Sequence, residues 1–277
     1  MDARAEGLGF GSIQEINALP REVAEALYAR LVPEELLDRF GIDPSTLCGR
    51  DGARLVRVTA PADKPWARVE VRSSLEDRDP ALLVDVEMSP LSVPELAFVQ
   101  ITDPTGPRFA IDRDLDGRDT LFGTSARNVD EERQAMQLGL APGQVRRGLR
   151  LLSRVLDAME SFCSLIGKEI YLIEPLFYHS AILYERRGCG YLMGRDVMEE
   201  IHAGFCAGGR LAKALDGSSE FRRPEAAHTV RGRSWALHDG IVEGGWGGRA
   251  GPGLSGVKMY KAAGRLAGVD TFPGAPY

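Results

Sequence analysis

The chain has 277 residues, 44% of them hydrophobic and 27% charged, with a formal net charge of -6. That is ordinary globular material, long enough to bury a sizeable core as one domain with extensions or as two smaller ones. The acidic balance gives no electrostatic reason to expect nucleic acid or an anionic membrane as partner, and no apolar run approaches the roughly 20 residues that a spanning helix needs.

The first residues, MDARAEGLGFG, lack an apolar signal core, and Cys48, Cys163, Cys189 and Cys206 form no C-x-x-C pair. A cytoplasmic protein with reduced thiols is the expectation. Residues 20 to 41 carry two helical patterns, Val23, Leu27 and Leu31, then Leu36, Leu37 and Phe40 ending at Gly41. From about 52 to 122 the pattern turns to strands: Ala53 to Thr59, Trp66 to Arg72, Ala81 to Glu87, Leu96 to Thr102 and Arg108 to Asp112, between Pro, Gly and Asp turns. Asp112, Asp114, Asp116 and Gly117 imitate the first half of a calcium loop. The position that should supply a bidentate Glu is Gly123, so an acidic hairpin turn is the simpler reading and no metal is expected.

Pro142 and Gly143 punctuate the start of the next element. Leu149, Leu152, Leu156, Met159, Cys163 and Ile166 recur at steps of three and four, with Arg146, Arg150, Arg154, Asp157 and Glu160 away from that face. This is a helix laid on a sheet, stopped by Gly167. Ile170 to Phe177 reads as a covered strand, and Ala181 to Tyr184 as a second helix ending before Gly188.

Several of these positions coincide with one family's motifs. Gly148 falls on the first glycine of a (Q/R)-x-x-G-x-(G/A) loop, Pro142 where a proline ends a fourth strand, and Tyr184, Glu185 and Gly188 on an A-x-x-L-Y-E-K-x-G-F segment. Over roughly residues 135 to 192 the chain resembles the GNAT superfamily of N-acyltransferases. Val145 stands in place of the loop's Gln or Arg, Arg150 in place of its second small residue, Phe177 where Asn is common, and Cys189 in place of the Phe. The resemblance implies an α+β fold with a mixed, mostly antiparallel central sheet flanked by helices. A helical segment at 1–50, a core at 51–195 and a loop-rich extension at 196–277, serving as lid or dimer arm, complete the expected layout.

For function the resemblance implies acyl transfer from acetyl-CoA or another acyl-CoA to an amine, on a small molecule or a peptide, with no metal. The loop from Gln144 through Val145, Arg146, Arg147, Gly148 and Leu149 to Arg150 would hold the pyrophosphate, helped by the unpaired amides and positive dipole end of a helix start. An arginine at 150 must swing aside or touch the anion itself. Tyr184 would protonate the departing thiolate where two strands splay apart, and Glu174 is the first candidate for general base, ahead of Glu131, Glu132 and His179. Val145 and Arg150 motivate two alternatives: a binding or regulatory protein without catalysis, and a relative that takes its acyl group from a carrier protein. Homodimers are common in the superfamily.

Beyond Gly194 the family pattern ends. Val197 to Leu215 reads as one or two helices broken at Gly204 and at Gly208 and Gly209, and 240 to 256 is the most loop-like stretch. His202 and Cys206 lie four apart, which puts two metal-ligand types on one helix face where a zinc site needs three or four. No G-x-S-x-G, H-E-x-x-H or phosphate-loop motif is present.

Overall fold

The computed structural model describes residues 9–123, 125–242, 254 and 256–277. Its elements in chain order are α1 (Ile13–Asn17), α2 (Arg21–Tyr28), α3 (Glu34–Phe40), β1 (Val56–Thr59), β2 (Trp66–Val71), β3 (Leu82–Met88), β4 (Pro94–Ile101), α4 (Val129–Gln137), α5 (Leu152–Leu165), β5 (Ile170–Ile173), α6 (Tyr178–Glu185), β6 (Gly190–Met193), α7 (Arg195–Phe205), α8 (Arg210–Ala214), α9 (Val230–His238) and β7 (Lys258–Ala262). The strands are hydrogen-bonded in the order β1-β2-β3-β4-β5-β7-β6, so the fold is α+β with a mostly antiparallel open sheet.

The chain folds into two compact units. The first takes the chain up to Thr105, then Gly148–Ile173 and Tyr260–Arg265; the second takes Gly106–Arg147, Glu174–Met259 and Leu266–Tyr277.

In the first unit, alternation decides which face of the sheet is covered. Val56 and Val58 on β1, Ala67, Val69 and Val71 on β2, and Leu82, Val84 and Val86 on β3 are all buried and lie opposite one another across the antiparallel ladders. The side chains between them, such as Arg57, Arg68 and Asp85, take the other face, where Arg68 clasps Asp85 through two bonds of 2.7 Å. Helix α5 packs on β4 and β5 and buries Val155, Leu156, Met159, Phe162 and Cys163. Tyr28 stacks on Phe162 at 5.5 Å. Each large side chain fully buried in this way contributes on the order of 2 kcal/mol. Helix α1 follows a signal that hydrophobic periodicity misses in so short an element: Ser12 accepts the Glu15 amide, and the Glu15 carboxylate accepts the Gly11 amide in return.

Three sequence expectations are corrected. The fourth strand is β4, not a segment ending at Pro142. Residues 129 to 137 are helical because Asn128 caps the Glu131 amide and three acidic residues sit in the first turn, at the positive end of the dipole. Arg108 to Asp112 is not a strand, since its backbone groups are taken outside any ladder. Phe109 N–H bonds Val145 O, Ala110 N–H bonds the Glu131 carboxylate at 2.7 Å, and Asn128 donates to the carbonyls of Ala110 and Arg113. Gly204 lies inside α7, and the break falls at Gly208 and Gly209 instead. The acidic segment is a hairpin turn in which one Asp114 oxygen accepts the amides of Asp116 and Arg118, while Asp112 pairs with Arg108. Of the loop-like stretch 240 to 256, residues 243–253 and 255 lie outside the described residues.

Candidate functional site

In the first unit β4 and β5 run parallel but meet at only two positions, Glu95 with Leu172 and Leu96 with Ile173. Beyond them β5 ends and β4 continues to Ile101 without it. A β-bulge marks the parting: Asp85 pairs with Phe98 and Val86 with Leu96, leaving Ala97 as the extra residue on β4. Burial changes at the same place, from buried Pro94, Glu95 and Leu96 to half-buried Ala97 through Ile101. Thr102 N–H bonds Ala81 O, so the alternation of an antiparallel ladder aims the polar backbone groups of Val99 and Ile101 away from β3, along the edge that β5 has left.

The chain re-enters this unit against that edge. At Gly148 a Cβ would stand 3.1 Å from the Ile101 carbonyl oxygen, a tighter approach than side chains normally allow. Arg150 follows in a left-handed conformation, φ 62°, with its side chain exposed. Leu151 then begins α5 without any side-chain cap, which leaves the first-turn amides of a 14-residue helix for solvent or ligand. The helix starts at Leu152, so Arg146 and Arg150 precede it rather than forming its polar face.

Leu149, between Gly148 and Arg150, is half-buried in the first unit, and the other residues singled out from the sequence lie in the second. Gln144 accepts the Ala141 amide at 2.8 Å, and Arg147 donates to Leu138 O at 3.4 Å. Arg146 donates to the Gly106 carbonyl. The Val145 side chain is buried among Phe109, Ile111, Ala135 and Leu140, so its contribution is to the core. Tyr184 is buried on α6, and burial pushes its phenol above the ordinary value, which keeps the proton on oxygen. Glu174 is exposed and faces Lys258 at 3.7 Å. Glu131 holds the Ala110 amide, and Glu132 is buried against His238. His179, fully buried, is held neutral chiefly by desolvation, with the nearby charge of Arg231 acting in the same direction, its pKa lowered to about 3.

Sequence reasoning passed over Glu95. It is a buried carboxylate at the last paired positions before β4 and β5 part, and its only signal was an acidic residue inside the apolar run Pro94 to Ile101. His202 and Cys206 do share a face of α7, with Nε2 3.6 Å from Sγ. Among the described residues no three His, Cys, Asp or Glu side chains converge as a metal site, and no helix is long and apolar enough to cross a membrane. Comparison with protein-family models, curated proteins and solved structures finds no match to this chain.

Proposed function

We propose that the chain is a GNAT-like acyltransferase that takes an acyl-phosphopantetheine donor, most simply acetyl-CoA, in the slot where β4 leaves β5, and passes the acyl group to an amine. The observation that carries this reading is the two-residue contact between parallel strands beside an uncapped helix start. An open strand edge offers alternating N–H and C=O groups to an extended, amide-bearing arm, as in strand addition. The α5 amides and the Arg150 guanidinium suit the phosphate at the arm's end.

The chemistry follows from the bonds exchanged. The amine nitrogen attacks the thioester carbonyl, the C–N bond forms, the C–S bond breaks, and the thiolate leaves and takes a proton. Glu95, beside the parting of the strands, is a better-placed acceptor for the amine's proton than the exposed Glu174. The resemblance alone assigns the acid's role to Tyr184, which carries its proton but, with its phenol raised by burial, gives it up reluctantly.

Calorimetry tests the reading directly, with acetyl-CoA, longer acyl-CoAs and CoA as ligands. Gly148→Val is expected to weaken binding at least tenfold and also to lower the melting temperature, because the added carbons meet the Ile101 carbonyl. Absence of binding by every one of these ligands would remove the reading. Tyr184→Phe should slow thiol release without changing CoA affinity, and unchanged turnover would take Tyr184 out of the mechanism.

A further inference from the structure

The second unit contains a polar centre that acyl transfer does not use. Glu132, on α4, is buried, and its Oε1 lies 2.9 Å from His238 Nε2 at the end of α9. Arg127 donates to the other oxygen of Glu132, and through Nη1 to Asp239 at 2.7 Å. Arg222 and Ser219 complete the shell of Asp239, at 2.8 and 2.7 Å. The His238 side chain is 1% exposed, and its Nδ1 is buried without a hydrogen-bond partner among the described residues. The rings of Phe177 and Trp235 stand edge-on to the imidazole at 5.7 and 5.8 Å.

This arrangement fixes where the imidazole proton sits. Burial pushes the Glu132 carboxyl up, but the bonds from His238 and Arg127 outweigh it and hold the group below its ordinary value. An ionised Glu132 accepts only, so Nε2 carries a hydrogen, and Nδ1, which meets no hydrogen-bond acceptor among the described residues, is the position that suits the lone pair. A carboxylate that locks the tautomer leaves the opposite nitrogen open to accept a hydrogen bond. His179, the other buried histidine of this unit, differs because Ser234 Oγ lies 3.0 Å from its Nδ1 and Ser180 Oγ 3.5 Å from its Nε2.

The cover over the pair is strained. Leu121, Phe122 and Gly123 have φ of 50°, 57° and 84°, three left-handed residues in succession. A Cβ on Gly123 would lie 2.8 Å from His238 Cε1 and 3.0 Å from both His238 Nε2 and Glu132 Oε1, so this turn rests on the Cε1–Nε2 edge of the imidazole. The left-handed conformation costs an ordinary residue roughly 1 kcal/mol, which makes displacement of the turn less costly than displacement of a relaxed one.

We propose that His238, oriented by Glu132, is a hydrogen-bond-accepting site whose ligand is a small, apolar-bodied alcohol or amine, reaching Nδ1 past Cε1 when the 121–123 turn that covers Cε1 moves aside. The ligand's O–H or N–H donates a hydrogen bond to Nδ1 while Nε2–H stays on Glu132, and no covalent bond is made or broken. Phe177 and Trp235 favour the apolar body. The proposal is independent of the acyl-transfer reading.

Diethyl pyrocarbonate, which acylates an imidazole lone pair with release of ethanol and carbon dioxide, is the first probe, with peptide mass spectrometry as readout. His238 is expected to label at least fivefold faster than His179 at pH 7, and Glu132→Gln to slow that labelling about threefold. Benzyl alcohol, the ligand probe, should protect His238 while leaving the exposed His228 unaffected. Nitrogen-15 spectra of the unaltered protein need no variant to fold, and should show Nε2 protonated and Nδ1 bare. Equal labelling of the two buried histidines, no protection by benzyl alcohol, or a proton on Nδ1 would overturn the proposal.

Discussion

The slot in the first unit and the Glu132–His238 centre in the second are built in opposite ways. The slot is made of main chain: a strand edge released at a bulge, a glycine against a carbonyl, and an uncapped helix start. The buried pair is made of side chains on α4 and α9, held by two arginines and an aspartate, with a single ring nitrogen left over. Main-chain sites tolerate changes of side chain but not of backbone conformation, whereas a buried charge network fails when any one member is removed.

The largest effect that tests this contrast is therefore expected at Glu132. Glu132→Ala leaves Arg127 and His238 without their shared acceptor in a dry setting, a loss of about 3–5 kcal/mol. The half-exposed pair on the first unit's sheet, Arg68 with Asp85, should behave differently. Asp85→Ala is expected to cost no more than about 1 kcal/mol. Urea denaturation of the two variants compares them on one scale, and similar losses would break the contrast.

A smaller effect belongs to pH. His179 in the folded chain has a pKa lowered to about 3 from 6.5, so the unfolded chain takes up its proton first as the solution is acidified. Stability is unaffected by this group above pH 6.5 and falls below it by about 1.4 kcal/mol per pH unit, or roughly 2 kcal/mol by pH 5. His179→Asn should flatten that slope between pH 7 and pH 5. An equal fall in both proteins would place the acid sensitivity elsewhere.

What could be read in the sequence follows the same division. Alternating or apolar runs between turn residues revealed four strands, and the steps of three and four along Leu152, Leu156 and Met159 revealed α5, because each pattern lies within a single element. Gly148 was legible as a loop glycine, though its neighbour is the Ile101 carbonyl, 47 positions earlier. The bulge at Ala97 left no trace in composition, and Glu95 looked like a polar interruption of a strand. Glu132 and His238 are separated by 106 residues, and nothing local to either announces the other. Residues 129 to 137 misled because their few apolar positions suit either period, while the Asn128 cap that decides for helix is one side chain.

The smallest expected effect is at Arg150, where conformation and charge pull in opposite directions. Its left-handed φ of 62° is one that glycine adopts freely, so Arg150→Gly removes a strain of roughly 1 kcal/mol, partly offset by the greater freedom of glycine in the unfolded chain. The variant should therefore be as stable as the original protein or up to about 1 kcal/mol more so. If the guanidinium meets the phosphate of the bound donor, the same change weakens CoA binding by about five- to tenfold, the worth of one exposed charge-assisted bond. If the side chain merely obstructs the slot, binding tightens instead. Stability and affinity measured on one variant thus separate the two roles, because the backbone effect is common to both outcomes and only the sign of the affinity change differs.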